Sequence, residues 1–141
     1  MPTRPPNTQP GPDVFTGFSE FGQALGNFLV GRTNVRCAVL TDNRGDPVDF
    51  AHRPARMSAI DVQIAGAQVE AVAGRVQAWC DDHKLGVCEI LVEASHGLLL
   101  ITVPGRECVL VSLHDHAARA DPLGQLAAFS NLRRRIADLI G

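Results

Sequence analysis

The residues able to do chemistry in this chain are few and scattered. His114-Asp115-His116 is the densest group. Alternate residues of a strand point to one side, so His114 and His116 would face the same way there, as two imidazole ligands of one metal must. No third ligand stands at metal-binding spacing, and the reading is an exposed strand end with no metal. Cys80 and His83 are three apart near the end of a helical stretch, which suits a thiol–imidazole pair. Nothing beside them orients the imidazole, so no catalytic role is expected. Asp42, Asn43 and Asp46 have the side chains of a calcium loop but lack its closing glutamate, and they read as a turn. Cys37, Cys80, Cys88 and Cys108 contain no CxxC pair; they are expected as free thiols packed as small apolar groups. There is no phosphate loop, glycine fingerprint or zinc spacing. The expectation is no enzyme, no cofactor and no metal, with function resting on binding.

The cations divide into three groups. Arg133-Arg134-Arg135 suits an arginine finger or an acidic patch, but near a helix C-terminus three cations more simply complement the macrodipole. Arg53 and Arg56, in a loop entering a long helix, and Arg75 on that helix are the candidate partner-binding cations. The whole chain has a net charge of −2 and a pI near 6.2, which favours neither nucleic acid nor a membrane surface as the main target. Twelve arginines stand against the single lysine, Lys84, a bias with no functional reading.

These residues must be positioned by one domain. The chain has 141 residues, 45% of them apolar, enough for a single core. No apolar run reaches membrane-spanning length, and the N-terminus has no basic start followed by an apolar stretch, so a cytoplasmic location is expected. Pro2, Pro5, Pro6, Pro10 and Pro12 mark residues 1–13 as an extended, disordered tail; the domain is expected over 14–141. From Val14 to Leu29, Phe18, Phe21, Leu25, Phe28 and Leu29 recur at helical spacing and end at Gly31. Val35–Thr41 and Val48–His52 read as strands joined by Asn43-Arg44-Gly45-Asp46, a hairpin turn. Ser58 is the expected N-cap of a helix over 59–82. Three strands follow, over 88–94, 98–103 and 108–113. A helix from Pro122 to Ile140 closes the chain, with Leu126, Phe129, Ile136, Ala137 and Ile140 as its buried stripe. Leu98-Leu99-Leu100-Ile101 does not alternate, so its strand should be covered on both faces. The order αββαβββα then gives an α+β, three-layer fold: a five-stranded antiparallel sheet with helices on both sides.

The long helix has two apolar faces. Val62, Ala65, Val69, Val72, Val76 and Trp79 fall on one side and are expected on the sheet, Trp79 in the core. Ile60, Ile64, Ala67, Ala71, Gly74 and Ala78 fall opposite. Small side chains let a second helix approach closely, and two isoleucines one turn apart are costly to leave in water. This second face is therefore expected to pair with another copy. The strand at Glu89, Leu91 and Glu93 joins it as an open edge beside that helix.

Several stretches resemble the roadblock / dynein light chain family. They are Val35-Arg36-Cys37-Ala38-Val39-Leu40-Thr41-Asp42 with Gly45, Ile64-Ala65-Gly66 continuing to Glu70-Ala71-Val72-Ala73-Gly74, and Val109-Leu110-Val111-Ser112-Leu113 followed by Pro122-Leu123-Gly124. The resemblance runs from Phe15 to Ile140. It implies the same five-stranded sheet, with the long helix on one face and the terminal helices on the other. It also implies a dimer through the long helix and the third strand of the five. Bacterial members commonly partner small Ras-like GTPases, some stimulating hydrolysis without donating a catalytic residue; others are scaffolds. The expectation is a non-catalytic, homodimeric GTPase regulator or scaffold, with no nucleic acid and no membrane insertion. The alternatives are a dimeric secretion chaperone, whose usual three strands before the middle helix and two after fit less well, and a small-ligand sensor module.

Overall fold

The computed structural model describes residues 13–105, 107–116 and 121–141. The expected tail lies outside the described residues apart from its last position, Asp13. The elements are β1 (Phe15–Thr16), α1 (Glu20–Leu29), β2 (Val35–Asp42), β3 (Pro47–His52), α2 (Ala59–Asp82), β4 (Glu89–Ala94), β5 (Gly97–Gly105), β6 (Cys108–Asp115) and α3 (Pro122–Ile140). They form one antiparallel sheet in the order β1-β3-β2-β6-β5-β4. The α+β, three-layer expectation holds, but the sheet has six strands where five were expected.

The extra strand explains a second correction. Phe15 and Thr16 pair with His52 and Ala51 of β3, so the chain is extended where a helix from Val14 was expected. The helix starts only at Glu20, because Ser19 caps it: its Oγ accepts the Gly22 N–H at 3.1 Å. The Asp49 carboxylate of β3 accepts from both the N–H and the hydroxyl of Ser19, placing a negative charge at the helix's positive end. Phe18, expected on the buried stripe, precedes this cap and is 95% exposed.

The sheet separates two cores. On one face α1 and α3 pack Leu25, Phe28, Leu29, Phe129 and Ile136 onto Leu40, Leu100 and Leu110. On the other, α2 packs Val62 and Ala73 over Cys37, Val39, Ile101 and Val111. The run in β5 splits as the doubly covered reading requires, Leu100 to the first face and Leu99 and Ile101 to the second. In α3 the buried positions are Phe129, Leu132 and Ile136, while Ile140 of the expected stripe is exposed. Asp121 caps this helix by accepting the Leu123 N–H, with Pro122 in its first turn. No helix among the described residues is long and apolar enough to cross a membrane.

The seating of α2 differs most from the sequence reading. Its buried positions are Val62, Gly66, Ala73 and Cys80, with Val69 and Val76 half-buried beside them. The contact line is thus rotated by about 50° from the row of large residues, at 100° per residue. Val72 and Trp79, expected on the sheet, are 59% and 56% exposed. The cause is close approach. A Cβ added at Gly66 would stand 2.4 Å from Thr41 Oγ1 and 3.3 Å from both Val39 γ-carbons, so the helix lies down on its smallest residues. Gly66→Ala should therefore lift α2 from β2 and cost about 1–3 kcal/mol despite alanine's better helix propensity. Denaturant unfolding of the variant beside the wild type measures the loss.

Candidate interaction surface

With α2 seated on Gly66, its opposite side faces outward. Ile60, Ile64, Ala67, Ala71, Gly74 and Ala78, the six residues expected to meet a second copy, are all exposed; Ile60 and Ile64 are 67% and 48% accessible. Val72 and Trp79 widen this apolar face along one flank. The Trp79 indole stacks on the His83 imidazole with centroids 4.2 Å apart, and His83 Nδ1 lies 2.9 Å from the Trp79 carbonyl. The other flank is polar. There Glu70, Gln77 and Asp81 overlook an open groove of about 770 Å³ floored by Val87, Val103 and Val109.

Strand β4 stands at the end of the sheet and, among the described residues, pairs only with β5. Its residues divide differently from the sequence reading. Glu89 accepts from the Ser130 hydroxyl and from Arg133 Nε at 3.1 Å, and Leu91 packs into the α1/α3 core. Both therefore belong to the α3 side of the sheet; Glu93, on the same alternation, is exposed. The residues that share a face with α2 are Ile90 and Val92. Strand alternation was the available signal, since placing Glu89 and Glu93 on one side puts Ile90 and Val92 on the other. Grouped on one face of the fold, the exposed apolar residues of α2 and Val92 form the candidate interaction surface.

The three candidate partner-binding arginines have different fates. Arg53 is a correction: it is buried and its guanidinium is spent inside the fold. Nε donates to the Val35 carbonyl at 3.0 Å, Nη2 donates to the Leu29 and Arg32 carbonyls at 2.7 and 3.1 Å, and Nη1 pairs with Asp13. Leu29 ends α1 and Arg32 closely follows it, so Arg53 joins Arg32, whose Nη1 donates to the Phe28 carbonyl at 3.2 Å, as a cation at that helix end. Arg56 is half-committed, with Nη1 on the Thr33 carbonyl at 2.6 Å and on Asp115 at 3.1 Å. Asp115 also pairs with Arg36 at 2.5 Å. Arg75 is exposed on the outer part of α2, with no ion pair among the described residues. In the C-terminal triplet, Arg133 holds Glu89 and Arg134 bonds Asn131.

The His-Asp-His cluster is also corrected. His114 is buried, not exposed. Its Nδ1 donates to Gln125 Oε1 at 2.5 Å, an oxygen that also accepts from Asn34 at 2.8 Å, while Nε2 faces the Ser112 hydroxyl at 2.7 Å. His116 turns away and bonds the Ala94 carbonyl. The two rings do not converge, and no group of three or more His, Cys, Asp or Glu among the described residues is placed to hold a metal. Asp42 accepts the Arg44 and Asp46 N–H groups at 2.9 and 3.0 Å, the turn chemistry expected of it.

No protein-family model and no curated protein matches the sequence. Solved structures do match in shape. MglB of Myxococcus xanthus superposes with a TM-score of 0.68 at 16% identity, over 87% of this chain and 96% of that one. A Roadblock/LC7 domain from Streptomyces avermitilis gives 0.67 at 15% identity, over 84% and 95%. The chain has the roadblock/LC7 fold. A structure described as MglB with tetrameric arrangement gives 0.66 at 18% identity, over 87% and 92%. At such identities the likeness lies in the backbone.

The buried histidine makes this roadblock fold sensitive to acid. Burial pushes the His114 pKa below its usual 6.5, and Arg32 adds to that, against the opposing effects of Gln125 and Asp115. The folded state holds the ring neutral while the unfolded chain protonates it near pH 6.5. The stabilisation is complete above that pH and is lost as pH falls below it. Unfolding midpoints measured from pH 7.5 to 5 should decline, and His114→Gln should flatten the part of the slope that belongs to this ring.

Proposed function

We propose that this chain is a non-catalytic regulator or scaffold of a small Ras-like GTPase, working in the cytoplasm as a homodimer. The observation that carries the proposal is the outer face of α2, where Ile60, Ile64, Val72 and Trp79 stand exposed around a strip of alanine and glycine. A second copy covers that strip helix to helix, and the open edge of β4 extends the pairing, with Ile90 and Val92 beneath it. Support comes from the roadblock/LC7 fold, from the MglB structures among its likenesses, one of them tetrameric, and from the family's habit of partnering GTPases. In such a complex the GTPase keeps its own catalytic groups, and the dimer holds them in the active arrangement. Arg75 is the exposed cation on the helix itself and serves to meet an acidic surface of the partner.

Ala71→Asp places a charge in the centre of the small-residue strip, and light scattering should then report half the wild-type mass. A wild-type mass in the variant would remove α2 from the interface. The GTPase is tested by affinity capture from native lysate with GTP or GDP present. A small GTPase recovered preferentially with one nucleotide supports the proposal and names the state recognised. Recovery of a secreted protein with no GTPase would replace it with the chaperone reading. Arg75→Glu should slow association with the captured GTPase about tenfold at low salt, with dissociation little changed.

A further inference from the structure

The last turn of α2 and the start of β4 bring two thiols together. Cys80 lies on the sheet-facing side of α2 and is buried; Cys88 immediately precedes β4 and is half-buried. The chain turns back between them through Lys84 and Gly86, both in the left-handed region at φ 57° and 83°. Hydrogen bonds hold the return. The Leu85 N–H donates to the Cys80 carbonyl at 2.8 Å. Gln77, one turn before Cys80, accepts the Cys88 N–H at 3.0 Å through Oε1 and donates to the Gly86 carbonyl at 3.0 Å through Nε2. From the sheet side, Thr102 Oγ1 donates to the Cys88 carbonyl at 2.8 Å. Cys88 is thus held through both its N–H and its carbonyl beside the last turn of α2, where Cys80 is the neighbouring thiol.

We propose that Cys80 and Cys88 are a reversible dithiol/disulfide pair whose closure staples the C-terminal end of α2 to the edge strand. The oxidant is a low-molecular-weight disulfide such as oxidised glutathione. The Cys88 thiolate, the more accessible of the two, attacks one sulfur of that disulfide, breaks its S–S bond and releases one glutathione thiolate. The Cys80 thiolate then attacks the Cys88 sulfur, forms the internal S–S bond and expels the second glutathione. Two protein thiols are oxidised, one disulfide is reduced to two thiols, and the two protons pass to glutathione. Burial and the neighbouring thiol both raise the pKa of Cys88, so the first step is slow, while the second, between neighbouring groups of one chain, is intramolecular and faster. Cys37 is deeply buried, its pKa pushed up to about 12, and takes no part. The pair does not depend on the GTPase reading, because it joins two elements of one chain.

The test uses the full chain in glutathione buffers of stepped oxidised-to-reduced ratio, quenched by alkylation and read by mass spectrometry. Lys84, the single lysine, lies between the two cysteines, so trypsin leaves them on separate peptides, 76–84 and 85–106, which a disulfide would join. The expected product is that linked pair, with Cys37 and Cys108 still alkylated. Cys80→Ser should accumulate glutathione on Cys88 instead. Oxidised wild type should exchange its 79–88 amides about tenfold more slowly and revert on reduction. A glutathione adduct on Cys88 that persists in the wild type, a different pairing, or unchanged exchange in the linked form would overturn the proposal.

Discussion

The outward face of α2 is set by its inward one. The helix rests on β2 at Gly66, where Thr41 and Val39 leave no space for a side chain, and that seat decides the helix's rotation. With Gly66 and Ala73 inward, the row from Ile60 to Ala78 points away from the sheet, and Val72 and Trp79 are carried out to its flank. A rotation that buried the tryptophan would have needed a wider gap between helix and sheet and would have turned part of the small-residue strip toward the protein. Close packing and the free apolar face are therefore one decision, taken at one glycine.

A second set of interactions fixes where α2 begins. Arg53 gathers the carbonyls of Val35, Leu29 and Arg32, and its own carbonyl accepts from Arg56 and Met57. Asp115 draws in Arg36 and Arg56 from two different segments. Charges that looked like partner contacts thus work mainly as internal ties, joining the end of α1, the start of β2 and the entry to α2. The His114 network does similar work for α3, linking its first turn through Gln125 to Asn34 and to β6.

Much of this was legible in the chain itself. Hydrophobic spacing located the three helices and the five longer strands, and Ser58, Gly45 and Pro122 marked their boundaries, because those signals are local. The second apolar face of α2 was legible for the same reason. What escaped was long-range. Nothing near Phe15 announces that it will pair with His52, some 37 residues away, so β1 was read as helix. Trp79 was placed in the core by size, whereas the packed helix selected its smallest residues. Arg53 and His114 looked exposed because their partners, Leu29 and Gln125 among them, come from other elements. Glu89 and Leu91 were assigned to a seam without the knowledge that α3 covers their side of the sheet.

The two ends of the sheet are unlike. Beyond β3 the short β1 occupies the bonding positions of Ala51 and His52, Gly17 adds a bond to the Phe50 carbonyl, and β3 opens with Pro47, which has no N–H to offer. At the other end β4 has no covering strand among the described residues. A sheet that can accept a neighbour at both ends invites open-ended growth into fibres; one that is stoppered at one end can join a twin about a two-fold axis and then has nothing left to offer. The two-residue β1 thus leaves β4 as the longer open edge of the sheet among the described residues.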